Sequence, residues 1–170
     1  MELKDRIRNI PDFPQKGVLF RDITTLLNDA DGYEELIDRI SEGLRELDID
    51  IVVALEARGF TVGAAVAYAI HAGLVIARKP GKLPCEAISV NYGLEYGSDT
   101  LEMHTDAIKP GQRVAIIDDL LATGGTALAA VKLVERTGGN IVAIRFAVEL
   151  SDLGGREALS EYDVDSVIVF

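Results

Sequence analysis

The 170-residue sequence has one cysteine, Cys85, and two histidines, His71 and His104. One thiol cannot close an internal disulfide, and these three residues match neither the number nor the spacing of a zinc site. Cys85 is expected as a free thiol in a loop, His71 at a helix end and His104 in a strand-like stretch. Long apolar runs are also missing. The charged, amphipathic start MELKDRIRNI lacks the apolar core of a signal peptide and cannot span a membrane, so a cytoplasmic protein is expected. Cations are scarce: 17 Lys and Arg against 28 Asp and Glu leave a net charge of −11, which argues against nucleic acid and anionic membranes as partners. A small anionic ligand is still compatible with that charge, because screening over about 8 Å leaves the cations lining a site in control. No repeat, linker or low-complexity segment interrupts the chain. Its 48% hydrophobic and 26% charged residues fit one globular domain over 1–170.

The most informative stretch is VAIIDDLLATGGT, residues 114 to 126. Val114 to Ile117 is a short apolar run of the kind that forms a parallel strand covered on both faces, and Asp118 and Asp119 are expected to end it. Side chains alternate along a strand, so both carboxylates can serve one ligand only where the strand gives way to a loop. Ala122, Thr123, Gly124, Gly125 and Thr126 follow as a glycine-rich turn, and Leu128, Val131, Leu133 and Val134 trace a helix beginning near Thr126. Such a loop directs main-chain N–H groups at an anion, the helix start adds its free donors, and two threonine hydroxyls can complete a phosphate shell. Gly-Gly before a helix is also an ordinary turn. Thr126 is followed by Ala127 rather than by a lysine-bearing P-loop end, and no GxGxxG occurs, which removes those two nucleotide motifs.

Around this motif, strand and helix patterns alternate. Leu3, Ile7 and Ile10 predict a short first helix, and Tyr33, Leu36, Ile37, Ile40, Leu44 and Leu47 a longer amphipathic one. IVVAL at 51–55, LVIA at 74–77, the motif strand, IVAIRFAVEL from 141 and VIVF at the end read as strands, with an Ala-rich helix over 61–72. This order predicts an α/β fold with an open, mostly parallel twisted sheet and helices on both faces. Residues 83–105 break the alternation and read as a long hairpin or mobile flap.

Two more loops carry charge at the same predicted sheet edge. EARGF, residues 56–60, follows the strand IVVAL, and amides around Ala57, Arg58 and Gly59 can bind an anion that the guanidinium also contacts. A Glu56–Arg58 surface pair is the other reading. RKPGKLP, residues 78–84, brings Arg78, Lys79 and Lys82, either as a solvated charge run or as contacts to that anion.

The motif VAIIDDLLATGGT resembles the phosphoribosyl diphosphate signature of the type I phosphoribosyltransferase family. There, paired acids hold the ribose 2- and 3-hydroxyls and the loop cradles the 5-phosphate. IPDFPQKGVLFRDIT at 10–24, EARGF, RKPGKLP, LEYG and VELSDLGGRE at 148–157 extend the resemblance over nearly the whole chain, toward the adenine-specific branch. The tail SEYDVDSVIVF matches no family motif, and Cys85 replaces a different small residue of the flap.

The resemblance implies a base-binding region over 1–28, a flexible flap over 78–105, a homodimer, and transfer of the 5-phosphoribosyl group from phosphoribosyl diphosphate to adenine N9. AMP and diphosphate would be the products, with Mg²⁺ held mainly by substrate oxygens. It assigns ribose 5-phosphate to Asp118, Asp119, Ala122, Thr123, Gly124, Gly125 and Thr126, and diphosphate to Ala57, Arg58, Gly59, Arg78, Lys79 and Lys82. Glu95, beside Tyr96 in the flap, would relay the purine proton, making Glu95, Arg58, Asp118 and Asp119 the catalytic set. In GVLFRD, backbone groups two residues apart face the same side, so the Leu19 carbonyl and Arg21 amide can match the donor and acceptor edge of adenine. Phe20 is placed either to stack on the ring or to join the core, with Leu150 opposite. Three rival readings are an enzyme for hypoxanthine or guanine, a non-catalytic phosphoribosyl diphosphate sensor and a domain that binds only phosphate. The sensor would need a basic DNA-binding module, for which the chain has no spare segment.

Overall fold

Apolar β-branched runs supply the strands of the central layer, and the amphipathic stretches between them supply its cover. The structure, a computed structural model, describes residues 2–94 and 97–170. In chain order it comprises β1 (Arg8–Pro11), β2 (Leu19–Asp22), α1 (Thr24–Leu27), α2 (Ala30–Glu42), β3 (Ile51–Leu55), α3 (Gly59–Ile70) and β4 (Gly73–Ala77). There follow β5 (Ala87–Leu94), β6 (Gly97–His104), β7 (Arg113–Leu121), α4 (Gly125–Arg136), β8 (Asn140–Glu149), α5 (Gly155–Ala158) and β9 (Val164–Val169).

Five strands form one parallel sheet in the order β4-β3-β7-β8-β9. The chain winds outward from β3 to β4 on one side and from β7 through β8 to β9 on the other. A crevice therefore opens between the β3 and β7 ends, the position where open α/β sheets take ligands. Alternate residues feed two cores, as a doubly covered sheet requires. Val52, Ala115 and Ile117 meet Leu36, Ile37 and Ile40 of α2 and Val62 and Val66 of α3. Val53, Val114 and Ile116 meet Ala130, Val131 and Val134 of α4, together with Val90, Leu101 and Met103 of the β5–β6 pair.

The segment that broke the alternation is an antiparallel hairpin, registered from Ala87 opposite His104 to Leu94 opposite Gly97. It covers part of one sheet face beside α4, in keeping with the hairpin reading of 83–105. Its root is clamped by reciprocal main-chain bonds of 2.8 Å between Arg78 and Glu102.

Three expected boundaries differ. Leu3–Arg6 is a single 3-10 turn, and Ile10 belongs to β1, where it pairs with Phe20. Hairpin pairing overrides the helical spacing there. The amphipathic helix stops at Glu42, and Leu47 lies in a separate 3-10 turn, Arg45–Leu47, because Gly43 ends the helix. Asp118 and Asp119 do not end their strand: β7 continues to Leu121 because β8 is long enough to pair with it, Asp118 opposite Phe146 and Leu121 opposite Glu149.

Candidate active site

Pairing between β3 and β7 stops at Ala54 opposite Ile117, while pairing to β8 runs on. One edge of the Asp118–Asp119 segment is thus left without a strand, and a cavity of about 300 Å³ opens beside it. Both carboxylates line this cavity even though the strand continues past them.

The β3–α3 loop forms one wall through Glu56, Ala57 and Arg58. Glu56 and Arg58 do not pair with each other. Glu56 Oε2 accepts the Lys79 amide at 2.7 Å and lies 3.3 Å from Arg78 Nε. These contacts, the Lys79 amide first, hold the Glu56 carboxyl below its ordinary range. Arg58 Nε lies 2.8 Å from Asp119 Oδ2, yet its N–H is not aimed at that oxygen, which is buried without a hydrogen-bond donor. The Phe60 and Thr61 amides close turns onto the Ala57 and Arg58 carbonyls at 3.2 and 3.1 Å, and the amides of Ala57, Arg58 and Gly59 ahead of them are left for a ligand. Gly59 allows the helix to approach the acids: a Cβ there would fall 2.5 Å from Asp118 Oδ1.

The opposite wall is the β7–α4 loop, with Ala122, Thr123, Gly124, Gly125 and Thr126 all at the cavity. Gly124 has φ +87°, a left-handed conformation suited to glycine, and its carbonyl accepts the Leu128 amide at 2.9 Å, starting α4. The 12-residue helix directs its unpaired N–H groups and positive dipole end at the loop. Gly155, within VELSDLGGRE, packs where a side chain would strike Leu121 and the Ala122 carbonyl, so that motif supports the loop from behind.

Between the walls, Asp118 and Asp119 are 8% and 6% exposed, and the Asp119 amide donates to Asp118 Oδ1 at 2.9 Å. Burial, and then the Asp119 charge, lift the Asp118 carboxyl well above the ordinary range. Burial also lifts Asp119, opposed by Arg58. Such a pair favours ligands that bring hydroxyl donors or positive charge.

Lys79 reaches the cavity, held by Asp99 and by the Tyr92 hydroxyl at 3.0 Å. Arg78 stands behind Glu56, and Lys82 is exposed away from the cavity, touching Arg78 only through its carbonyl. The base-side residues form a separate, open wall. Phe20 lies edge-on to Phe13 at 5.2 Å with Arg58 5.3 Å from its ring center, Leu19 is exposed, and Arg21 turns toward Phe170. Leu150, just past β8, donates its amide to Leu121 O at 2.9 Å. Glu95 and Tyr96 lie outside the described residues. Glu56, Tyr92 and Phe146 line the cavity without having been singled out as ligand contacts. Glu56 was visible in EARGF, whereas Tyr92 and Phe146 carried no local signal.

Two loops that lead into helices and flank paired acids at a sheet switch point have the arrangement expected of the phosphoribosyltransferase class. The model of the phosphoribosyl transferase domain matches residues 23–170. An adenine phosphoribosyltransferase of Alkaliphilus metalliredigens is 59% identical over 170 residues, covering 100% of both chains. The crystal structure of adenine phosphoribosyltransferase from Thermoanaerobacter pseudethanolicus is 51% identical, with a TM-score of 0.96 over 99% of this chain and 98% of that one. The Saccharomyces cerevisiae enzyme, complexed with D-2,5-dideoxy-2,5-imino-altritol 1,6-bisphosphate and adenine, is 40% identical, with a TM-score of 0.92 over 96% and 95%. The chain belongs to the adenine phosphoribosyltransferase family, and so to the pentosyltransferases.

Proposed function

We propose that this protein transfers the 5-phosphoribosyl group from phosphoribosyl diphosphate to adenine N9, releasing AMP and diphosphate in purine salvage. The observation that carries this reading is one cavity with an anion-ready loop on each side of two buried acids. A sugar bearing phosphate at one end and diphosphate at the other needs both loops.

The 5-phosphate sits against Ala122 to Thr126, and Asp118 and Asp119 hold the ribose hydroxyls. The amides of Ala57, Arg58 and Gly59, together with Lys79, take the diphosphate, with Arg78 and Lys82 nearby in the flap root. As the bond from C1 to the diphosphate oxygen breaks, these cations stabilize the leaving anion, and the two carboxylates stabilize the charge developing on the ribose. Binding requires Arg58 and Lys79 to exchange Asp119 and Asp99 for substrate oxygens. By family resemblance Mg²⁺ would arrive with the diphosphate, held mainly by substrate oxygens. Asp119, whose Oδ2 is buried without an aligned donor, and Asp118 are the cavity carboxylates that would face the ion. When bound, the ion offsets the negative charge of the leaving group. By family resemblance Glu95 relays the N9 proton, and closure of the flap excludes water from the reactive sugar.

On the base side, Pro11 stands opposite Leu19 and Asn9 opposite Arg21. Pro11 has no N–H to give, so its pair fits the non-hydrogen-bonded kind, and antiparallel alternation extends that kind to Asn9–Arg21. The Leu19 carbonyl and Arg21 amide then face away from β1, spaced for the donor and acceptor of adenine. Phe20 stacks on the purine from one side and Leu150 covers the other. Hypoxanthine has an acceptor where adenine has its amino donor, and leaving the reading groups unpaired supports discrimination of up to about 10⁴.

The protein acts as a cytoplasmic homodimer in this reading. Leu74 and Ile76 on the edge strand β4 are exposed apolar side chains suited to a second copy, and no described helix is long and apolar enough to cross a membrane. Purified protein with phosphoribosyl diphosphate, Mg²⁺ and adenine, hypoxanthine or guanine tests the proposal. AMP from adenine is expected. Turnover of hypoxanthine in preference would remove the base assignment, and no turnover with any purine would remove the activity.

A further inference from the structure

The C-terminal tail plays no part in the sugar site, yet its last residue joins two distant segments. The Phe170 amide donates to Glu149 O at 2.9 Å, and its main-chain oxygen accepts the Ser151 amide at 3.0 Å and the Ser151 hydroxyl at 2.7 Å. These bonds bracket Leu150. The Phe170 ring lies under Arg21, whose guanidinium carbon is 3.9 Å from the ring center, with Lys4 Nζ at 4.4 Å. Lys4 also donates to Val169 O at 2.7 Å, and Arg21 Nη1 donates to Asn9 Oδ1, its cross-strand partner, at 2.5 Å.

We propose that Phe170 is a positioning residue for the purine half of the site, a strut that sets the distance between the β2 wall and the Leu150 wall. The proposal rests on the reading that Leu19 to Arg21 and Leu150 flank adenine. β2 has four residues and one strand partner, and a two-stranded hairpin is marginal by itself. Its far end is secured at Asp22, which accepts the Thr24 amide and hydroxyl and pairs with Arg8, contacts that lower its carboxyl to about 2. Its reading residues depend on the Phe13–Phe20 contact and on two cation–ring pairs, Arg58 with Phe20 and Arg21 with Phe170. Arg58 is also paired with Asp119 and is needed by diphosphate, which leaves Arg21–Phe170 as the anchor that persists when the sugar substrate binds. Its main chain brackets Leu150, so one residue, by its ring on one side and its main chain on the other, registers both walls.

The test uses Phe170→Leu, which keeps apolar bulk but removes the aromatic face, and Phe170→Tyr, which retains it. Phe170→Leu is expected to raise KM for adenine about five- to tenfold, with KM for phosphoribosyl diphosphate and kcat within about twofold of wild type. Phe170→Tyr should restore the wild-type KM. Amide exchange is followed in the same proteins without substrate, and Phe170→Leu should speed it at Phe20, whose pair with Ile10 is the hydrogen-bonded kind, and at Leu150, whose amide donates to Leu121 O, but not at Val131 within α4. Unchanged exchange at Phe20 overturns the strut, and so does an equal rise in both KM values, which marks a general loss of structure. Faster exchange with an unchanged adenine KM overturns the role in base positioning. If wild-type protein ignores adenine while the exchange pattern appears, the strut stands and the assignment of its wall to adenine falls.

Discussion

Replacing Gly59 with alanine tests how the sheet edge presents its acids. The new Cβ would lie 2.5 Å from Asp118 Oδ1 and 3.3 Å from Asp118 Cα, whereas ordinary contact begins at 3.4 Å. Asp118 Oδ1 accepts the Asp119 amide at 2.9 Å, so swinging the carboxylate into the cavity would break that bond and carry it away from the position the ribose needs. Either the carboxylate or the start of α3 must therefore move by about 1 Å, a displacement that at a reacting center costs about 100-fold in rate. The same overpacking costs about 1–3 kcal/mol of stability. Steady-state kinetics with phosphoribosyl diphosphate varied at saturating adenine should show kcat/KM falling by about two orders of magnitude, and calorimetry a lowered Tm. Gly43→Ala is the control, since nothing lies within 4 Å of a Cβ at that residue and its φ is −72°. It should leave stability within about 0.5 kcal/mol of wild type and the kinetics unaltered. If Gly59→Ala behaves like Gly43→Ala, Asp118 is not held in the geometry that the chemistry uses, and the reasoning fails.

A second prediction concerns Asp118→Asn. Asp118 is raised above its ordinary value of 3.8 by burial and by Asp119, so the ligand-free protein is most stable with the group protonated and loses stability as pH rises. The amide should melt higher than wild type at pH 7, with the gap closing as pH falls toward 3.8, while the sugar KM rises or kcat falls; a lower Tm at pH 7 would contradict the sign. Phe20→Leu should raise the adenine KM roughly two- to tenfold with the sugar KM unchanged, as loss of one stacking contact requires, and equal KM values in mutant and wild type would return Phe20 to a packing role. Glu95→Gln should lower kcat with little change in sugar affinity measured by calorimetry, and an unchanged kcat would remove Glu95 from proton transfer.

The parallel sheet was legible because IVVAL, LVIA and VAII are short β-branched runs separated by helical spacing. The glycine-rich loop that lines the cavity was legible because Thr123, Gly124, Gly125 and Thr126 are contiguous and turn directly into a helix. The extension of β7 through Asp118 to Leu121 was not, since it depends on the length of β8, a partner encoded some distance along the chain. Ile10 misled for a related reason: its spacing from Leu3 and Ile7 is helical, but pairing with Phe20 places it in a strand. Tyr92 reads as one residue of an alternating strand, and only the folded hairpin brings its hydroxyl to Lys79. The cations near the site were countable in the sequence. That three of the four have an acid partner in the free protein, Arg58 with Asp119, Arg78 with Glu56 and Lys79 with Asp99, follows only from the fold.

A crystal structure of the protein with AMP tests the two-walled site most directly. The 5-phosphate should lie on the amides and hydroxyls of Thr123 to Thr126, the ribose hydroxyls on Asp118 and Asp119, and the purine between Phe20 and Leu150 with its edge on the Leu19 carbonyl and Arg21 amide. Phosphate bound at the Ala57 to Gly59 loop instead, or a purine turned away from β2, would contradict the account.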